Sequence, residues 1–257
     1  MKYELMFPDQ IRKAIEENWP VVMALGVLEY HAHHLAVGTD TIPIVRAFER
    51  LERENGKIVI MPPFYYGAAS YAVAPPEGNG SVNIPAETLH LFARDLFRNL
   101  LRIGFRNMHL FVWHQSENFV NGMPTDLAFK LAAREAIFEY LDKTRGEGWW
   151  GNEEMKNYYA EHEKGADPFS WIKFHPLCVQ MRQYPGDHAG RLETSLMMAV
   201  CPQGVDMKRF KDEHWYSRGA LKANKLYGHK FFEVILQNVR SCLGREKQLH
   251  EKQCHEF

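Results

Sequence analysis

Val21-Val22-Met23-Ala24-Leu25-Gly26-Val27-Leu28 runs straight into Glu29-Tyr30-His31-Ala32-His33-His34 and closes at Gly38-Thr39-Asp40. The first eight residues are apolar without alternation, the pattern of a strand buried on both faces, as in a parallel sheet. The abrupt change to Glu-x-His predicts that Pro20 to Leu28 is a strand delivering polar groups at its C-terminal tip. Metal chemistry needs such a rigid element with oxygen and nitrogen donors at its end. A polar loop with surface histidines is the competing reading. The ordered set of Glu, His and Asp weighs against it.

Outward from this stretch, strand and helix signals alternate. Ile44 to Arg53 is predicted helical, with Ile44, Phe48 and Leu51 on one face and a stop near Gly56. Lys57 to Met61 reads as a short strand, and a Gly-, Pro- and Tyr-rich loop follows from Phe64 to Ile84. A helix begins after Pro85, with Leu89, Phe92, Leu96 and Leu100 at helical spacing and Gly104 as its C-cap. Met108 to Trp113 is a second unalternating apolar strand. Leu127 to Leu141 is helix, Phe174 to Gln180 strand, Leu192 to Val200 helix, and about Ala220 to Cys242 a long final helix. Alternation of this kind predicts a parallel sheet covered on both faces. Functional groups then collect at the carboxyl ends of the strands, where Glu29 and His31 follow one strand and His114 another.

The 257 residues show no repeat, low-complexity tract or linker, and read as one domain. The segment of about 142–172, with Trp149 and Trp150 among glycines, is expected to be a lid or a subunit-contact insert. A formal net charge of -1 leaves no basic surplus for phosphates, so nucleic acid is not an expected partner. No apolar stretch is long enough for a membrane span, and the first eight residues do not read as a secretory signal. Cys178, Cys201, Cys242 and Cys254 form no Cys-x-x-Cys pair, which suggests reduced thiols in a cytoplasmic protein.

Three clusters carry the chemistry. Glu29 and His31, two apart in extended chain, point to one side. Gly38 gives the loop freedom to bring Asp40 back to the same point, where a carboxylate can bridge two divalent ions; a helix N-cap is the other role open to Asp40. His114 ends the second strand, and Glu117 nearby suits a ligand, a general base or a helix first turn. In the third cluster Glu193 lies on the apolar flank of a helix, where a buried carboxylate needs a metal or a cation. His188, just before that helix, is placed to transfer protons near neutral pH.

These motifs resemble the creatininase (creatinine amidohydrolase) family. Its signature, Glu-Gln-His-Gly-x-His-Leu-Pro-Leu-Gly-Thr-Asp, is matched by Glu29 through Asp40 at every polar ligand position. Its His-Ala-Gly-x-x-Glu-Thr-Ser element appears as His188-Ala189-Gly190-Arg191-Leu192-Glu193-Thr194-Ser195, and Trp113-His114 matches its strand-end segment. The match spans about residues 20 to 200. The resemblance implies a three-layer α/β/α sandwich with a mostly parallel sheet. It also implies a centre of two divalent ions (zinc, manganese or iron), with Glu29, His31, Asp40, His114 and a later Glu as ligands and Asp40 bridging. His188 would be the acid/base residue, and homo-oligomers, often hexamers, are common in the family. Tyr30, Ala32 and Ala36 depart from the signature's Gln, Gly and Pro. Glu117 stands one position later than the glutamate of creatininase itself, which moves the expected ligand to Glu193. These departures and the insert point away from creatinine as the substrate.

The leading expectation is therefore a metal-dependent hydrolase of a small cyclic substrate, with a metal-bound hydroxide attacking a carbonyl. An alternative is a ring-opening carbon–carbon hydrolase of a cyclic polyol ketone such as an oxidised inositol, which the loop tyrosines Tyr65, Tyr66 and Tyr71 would suit. A second enzyme reading makes His31-Ala32-His33 the His-x-His site of a barrel amidohydrolase, which requires eight strand–helix units where about five strands are counted. The remaining reading is a non-catalytic metal-storing or structural module.

Overall fold

Four short strands form one parallel sheet in the order β2-β1-β3-β4: β1 (Val21–Leu25), β2 (Val59–Ile60), β3 (Met108–Val112) and β4 (Ile172–Pro176). The computed structural model describes residues 1–178 and 181–244. Leu25 pairs with Val112, and Val112 with Pro176, so three strands end level with one another. Period two decides which residue meets which layer. Val21, Met23 and Leu25 pack against α1 (Pro8–Glu16), α3 (Ala86–Ile103) and α4 (Pro124–Arg145). Val22 and Ala24 pack on the other face against α2 (Ile42–Asn55), α6 (Arg191–Val200) and α7 (Lys225–Cys242). This is the expected three-layer α/β/α sandwich with a parallel sheet. The chain moves from β1 outward to β2, then back across to β3. That reversal puts a topological switch point, and hence a crevice, at the carboxyl ends of β1 and β3.

The element boundaries depart from the sequence expectations for physical reasons. β1 ends at Leu25, which forms an isolated parallel bridge to Phe64: the Phe64 N–H donates to the Ala24 carbonyl and the Gly26 N–H to the Phe64 carbonyl, each at 2.9 Å. The buried stripe of α3 runs through Leu89, Ala93, Phe97, Leu100 and Leu101. Phe92, expected on that stripe, sits at its rim, stacked on Phe64 with ring centroids 5.1 Å apart. Gly56 and Gly104 end α2 and α3 with positive φ, as expected. The last helix begins at Lys225, where the Asn224 side chain caps it by accepting from the Tyr227 N–H. The expected strand to Gln180 begins at Ile172 and ends at Pro176; Val179, Gln180 and Cys254 lie outside the described residues.

Residues 142–172 hold short helical turns and α5 (Tyr158–Glu163), and Trp149 and Met155 pack into the α3/α4 core. None of the described residues lining the cavity at the strand ends comes from this segment, so a lid role gains no support from its position. No described helix is long and apolar enough to cross a membrane.

Gly26 rather than Gly38 folds the loop between Glu29 and Asp40 back. A Cβ on Gly26 would lie 1.6 Å from Thr41 Oγ1, and Thr41, fully buried, donates to the Val27 carbonyl. Gly38 is not among the glycines with positive φ. Gly26→Ala is therefore expected to cost about 1–3 kcal/mol through overpacking, read as a lowered denaturation midpoint. An unchanged midpoint would show that the Thr41 contact is dispensable.

Candidate metal centre

Glu29, His31, Asp40, His114 and Glu193 converge at the crevice between β1 and β3, none of them more than 7 % exposed. Glu29 is held by its N–H to the Val37 carbonyl, 3.0 Å away. His31 donates its Nδ1 proton to the Glu29 carbonyl at 3.0 Å, which turns the Nε2 lone pair inward. That Nε2 stands 3.5 Å from Asp40 Oδ1 and 3.5 Å from Glu193 Oε2. The other Asp40 oxygen, Oδ2, is 3.3 Å from His114 Nδ1, itself 3.3 Å from Glu29 Oε2. Asp40 thus offers one oxygen to each of two donor groups: Glu29, Asp40 and His114 on one side, His31, Asp40 and Glu193 on the other.

The donor chemistry fits divalent cations. His31 Nε2 and Asp40 Oδ2 are buried without a hydrogen-bond partner, a costly state unless something else satisfies them. Donors about 2.1 Å from a common ion at tetrahedral geometry lie about 3.4 Å from one another, close to the separations here. Three buried carboxylates share the space, and the ion pairs recorded for them are all with histidines.

The titration behaviour reflects that shortage of positive charge. Burial opposes a charged His31, but Asp40 and Glu193 outweigh it and push the imidazole up to about 10. Burial likewise opposes charging His114, yet Asp40 and Glu29 bring it to about 10. Burial, with Asp40 and Asp187 nearby, pushes Glu193 up to about 8. For Asp40 burial is overcome by His31 and His114, and its carboxyl lies well below the usual range. The stability that protonated His31 and His114 give the cation-free protein is fully present below about pH 6.5 and is lost as pH rises through about 10. A cation must displace those protons, so its affinity should rise over the same window, roughly tenfold per pH unit for each proton released. Chelator-treated protein should lose thermal stability while gaining metal affinity from pH 6.5 to 10. Affinity independent of pH would contradict this.

His188 lies beside the cluster, its ring 4.3 Å from that of His31. Its Nε2–H donates to the Tyr30 carbonyl at 2.9 Å, leaving the Nδ1 lone pair 3.9 Å from Glu29 Oε2. Burial, then the charge of His31, pushes it down to about 4, so it is neutral at neutral pH. His31, His114 and His188 are each followed by a non-glycine residue with left-handed backbone: Ala32 at φ 55°, Gln115 at φ 51° and Ala189 at φ 50°. Each costs on the order of 1 kcal/mol, a sign of a site held by its surroundings.

Glu117 is exposed and belongs to none of the converging donor groups among the described residues, although it lines the cavity. His33 turns away to Glu213, its Nε2 3.0 Å from Oε2. With that and an open four-stranded sheet, the His-x-His barrel reading fails. Asp40 does not cap α2 either: Thr41 is the N-cap residue and no side chain caps it. The cavity of about 170 Å³ is lined by Ser70, Gln115, Ser116, Tyr184 and Asp187 besides the cluster. Tyr65, Tyr66 and Tyr71 do not line it. Sequence reasoning assigned no role to Tyr30, whose carbonyl takes the His188 proton, or to Asp187. For Asp187 a carboxylate just ahead of a helix was a usable capping signal.

A family model described as "Creatininase: Creatinine amidohydrolase" matches residues 4–240. The chain belongs to the creatininase family. A curated relative, creatinine amidohydrolase of Pseudomonas putida, is 26% identical over 218 residues, covering 81% of this chain and 75% of its own length. Two solved structures share the fold. One, named creatininase Mn, has TM-score 0.66 at 20% identity, covering 95% of this chain and 98% of its own. The other, a mutant creatininase of Zn-Zn type, has TM-score 0.67 at 20% identity, covering 95% and 97%.

Proposed function

We propose that this creatininase-family chain is a metal-dependent hydrolase that opens a small cyclic substrate at a carbonyl. The observation that carries the proposal is Asp40, which divides its two oxygens between two buried donor groups. Glu29, Asp40 and His114 would hold one divalent ion, and His31, Asp40 and Glu193 the other; zinc, manganese and iron all suit these donors. Bound there, the ions would polarise the carbonyl and make water a stronger acid.

His188 then handles the proton. Its Nδ1, free of the Tyr30 bond, takes a proton from the attacking water and returns it to the leaving atom. One carbon–oxygen bond forms, the ring bond to the leaving atom breaks, and no external proton is consumed. Glu117 serves in this reading as a polar group of the cavity wall. The open cavity beside the cluster favours a catalytic over a storage site, since structural metal sites are closed. No lysine or arginine is among the described lining residues, which suits an uncharged or cationic ring rather than an anion.

The serine, glutamine and tyrosine lining supports one second reading, carbon–carbon cleavage of a cyclic polyol ketone by the same water attack. The test is metal analysis followed by assay on cyclic amides and cyclic polyol ketones. Hydrolysis of either class should stop with chelator and return with divalent ions, and the class turned over decides between the readings. Undiminished turnover in metal-stripped protein would overturn both. A cytoplasmic homo-oligomer, such as a hexamer, completes the proposal, and light scattering on purified protein tests the assembly.

A further inference from the structure

Asp187 stands three residues ahead of the N-cap of α6 and takes no part in the three converging donor groups among the described residues. Both its oxygens meet backbone donors of the first turn of α6: Oδ2 accepts from the Leu192 N–H at 2.6 Å, and Oδ1 from the Glu193 N–H at 3.2 Å. The bond is returned from the helix, where Glu193 Oε2 accepts the Ala189 N–H at 2.7 Å. That same Glu193 oxygen faces His31 Nε2 at 3.5 Å. Between the two carboxylates the chain passes through Ala189 in its left-handed conformation and then Gly190. A Cβ on Gly190 would lie 2.5 Å from Asp187 Oδ2, so the glycine is what lets the carboxylate close on the helix.

We infer that Asp187 is a positioning residue for the His31–Asp40–Glu193 ion position, locking the first turn of α6 so that Glu193 presents its carboxylate to His31 and Asp40. The inference rests on the two-ion reading above. Its leverage is local. His114 and Glu29 are carried by the ends of β3 and β1, which Asp187 does not touch through any of these bonds. The Glu29–Asp40–His114 position should therefore be indifferent to it. Partners of this kind, one bond removed from a ligand, change metal affinity by roughly 10–100-fold.

The experiment titrates Zn²⁺ into chelator-treated full-length protein against a chromophoric chelator, for the wild type, Asp187→Ala, Asp187→Asn and Gly190→Ala, with thermal unfolding of each recorded alongside. The wild type should bind two ions. Asp187→Ala and Gly190→Ala should keep one at wild-type affinity and weaken the other at least tenfold. Asp187→Asn, which retains one accepting oxygen, should fall between. Equal weakening of both ions, in step with a fall in thermal stability, marks a general structural role and overturns the inference. So do two unweakened ions in Asp187→Ala. A wild type that takes up no second ion overturns the two-ion reading itself.

Discussion

Asp40→Ala should reduce the tightly bound divalent ions from two to at most one and lower turnover by more than about a hundredfold. The reason is geometric. Oδ1 faces His31 and Oδ2 faces His114, so one substitution strips an oxygen from each donor group and leaves Glu29 with His114 and His31 with Glu193. Two donors are too few to hold an ion against water at the affinity of a closed three-donor set. Asp40→Asn separates charge from shape, since the amide keeps one accepting oxygen and should retain one ion. The variants are expected to fold, because α2 starts at the Thr41 N-cap without help from the Asp40 side chain. Elemental analysis and turnover on the same samples check the result. Two tightly held ions in Asp40→Ala would remove the bridge from the proposal.

The sequence made the sheet legible because burial on both faces leaves a local mark: Val21 to Leu25 are apolar throughout, Met108 to Val112 are apolar apart from His109, and all ten residues are buried. The spacing of Glu29 and His31 was equally local, two residues of the short segment that follows β1. What closes the site is not local. Asp40 returns because Thr41 packs against the bare Cα of Gly26, a contact over fifteen residues that no period encodes, whereas the expectation had fallen on Gly38. His33 and His31 look alike in sequence, and only the distant Glu213 shows that one faces away. Glu117 and Glu193 competed for one role. The short turn after His114 leaves Glu117 exposed, while the first turn of α6 buries Glu193 against His31. The departures from the family signature also acquire meaning. Ala32 sits at a positive φ that glycine adopts without strain, and Tyr30 reaches His214 Nε2 with its hydroxyl at 3.4 Å while its carbonyl anchors His188.

His188→Ala should leave both ions in place and lower turnover by roughly 10²–10⁴-fold, the usual contribution of a positioned general acid–base group. Two features make the imidazole suited to the task. The Tyr30 carbonyl only accepts, so Nε2 carries the ring proton and Nδ1 is left as the basic atom. Burial and the neighbouring positive charge hold the ring near 4, which keeps Nδ1 unprotonated across the neutral range. The competing role is ligation, since Nδ1 also converges with Glu29 and His31. Metal content separates the two: a ligand's removal costs an ion, a proton carrier's removal costs only rate. The pH profile gives a second separation. Loss of ions in acid follows protonation of His31 and His114, so the metal-uptake curve of His188→Ala should overlay that of the wild type while turnover stays low at every pH. A variant that retains wild-type turnover takes His188 out of the reaction, and one that loses an ion makes it a sixth donor to the centre.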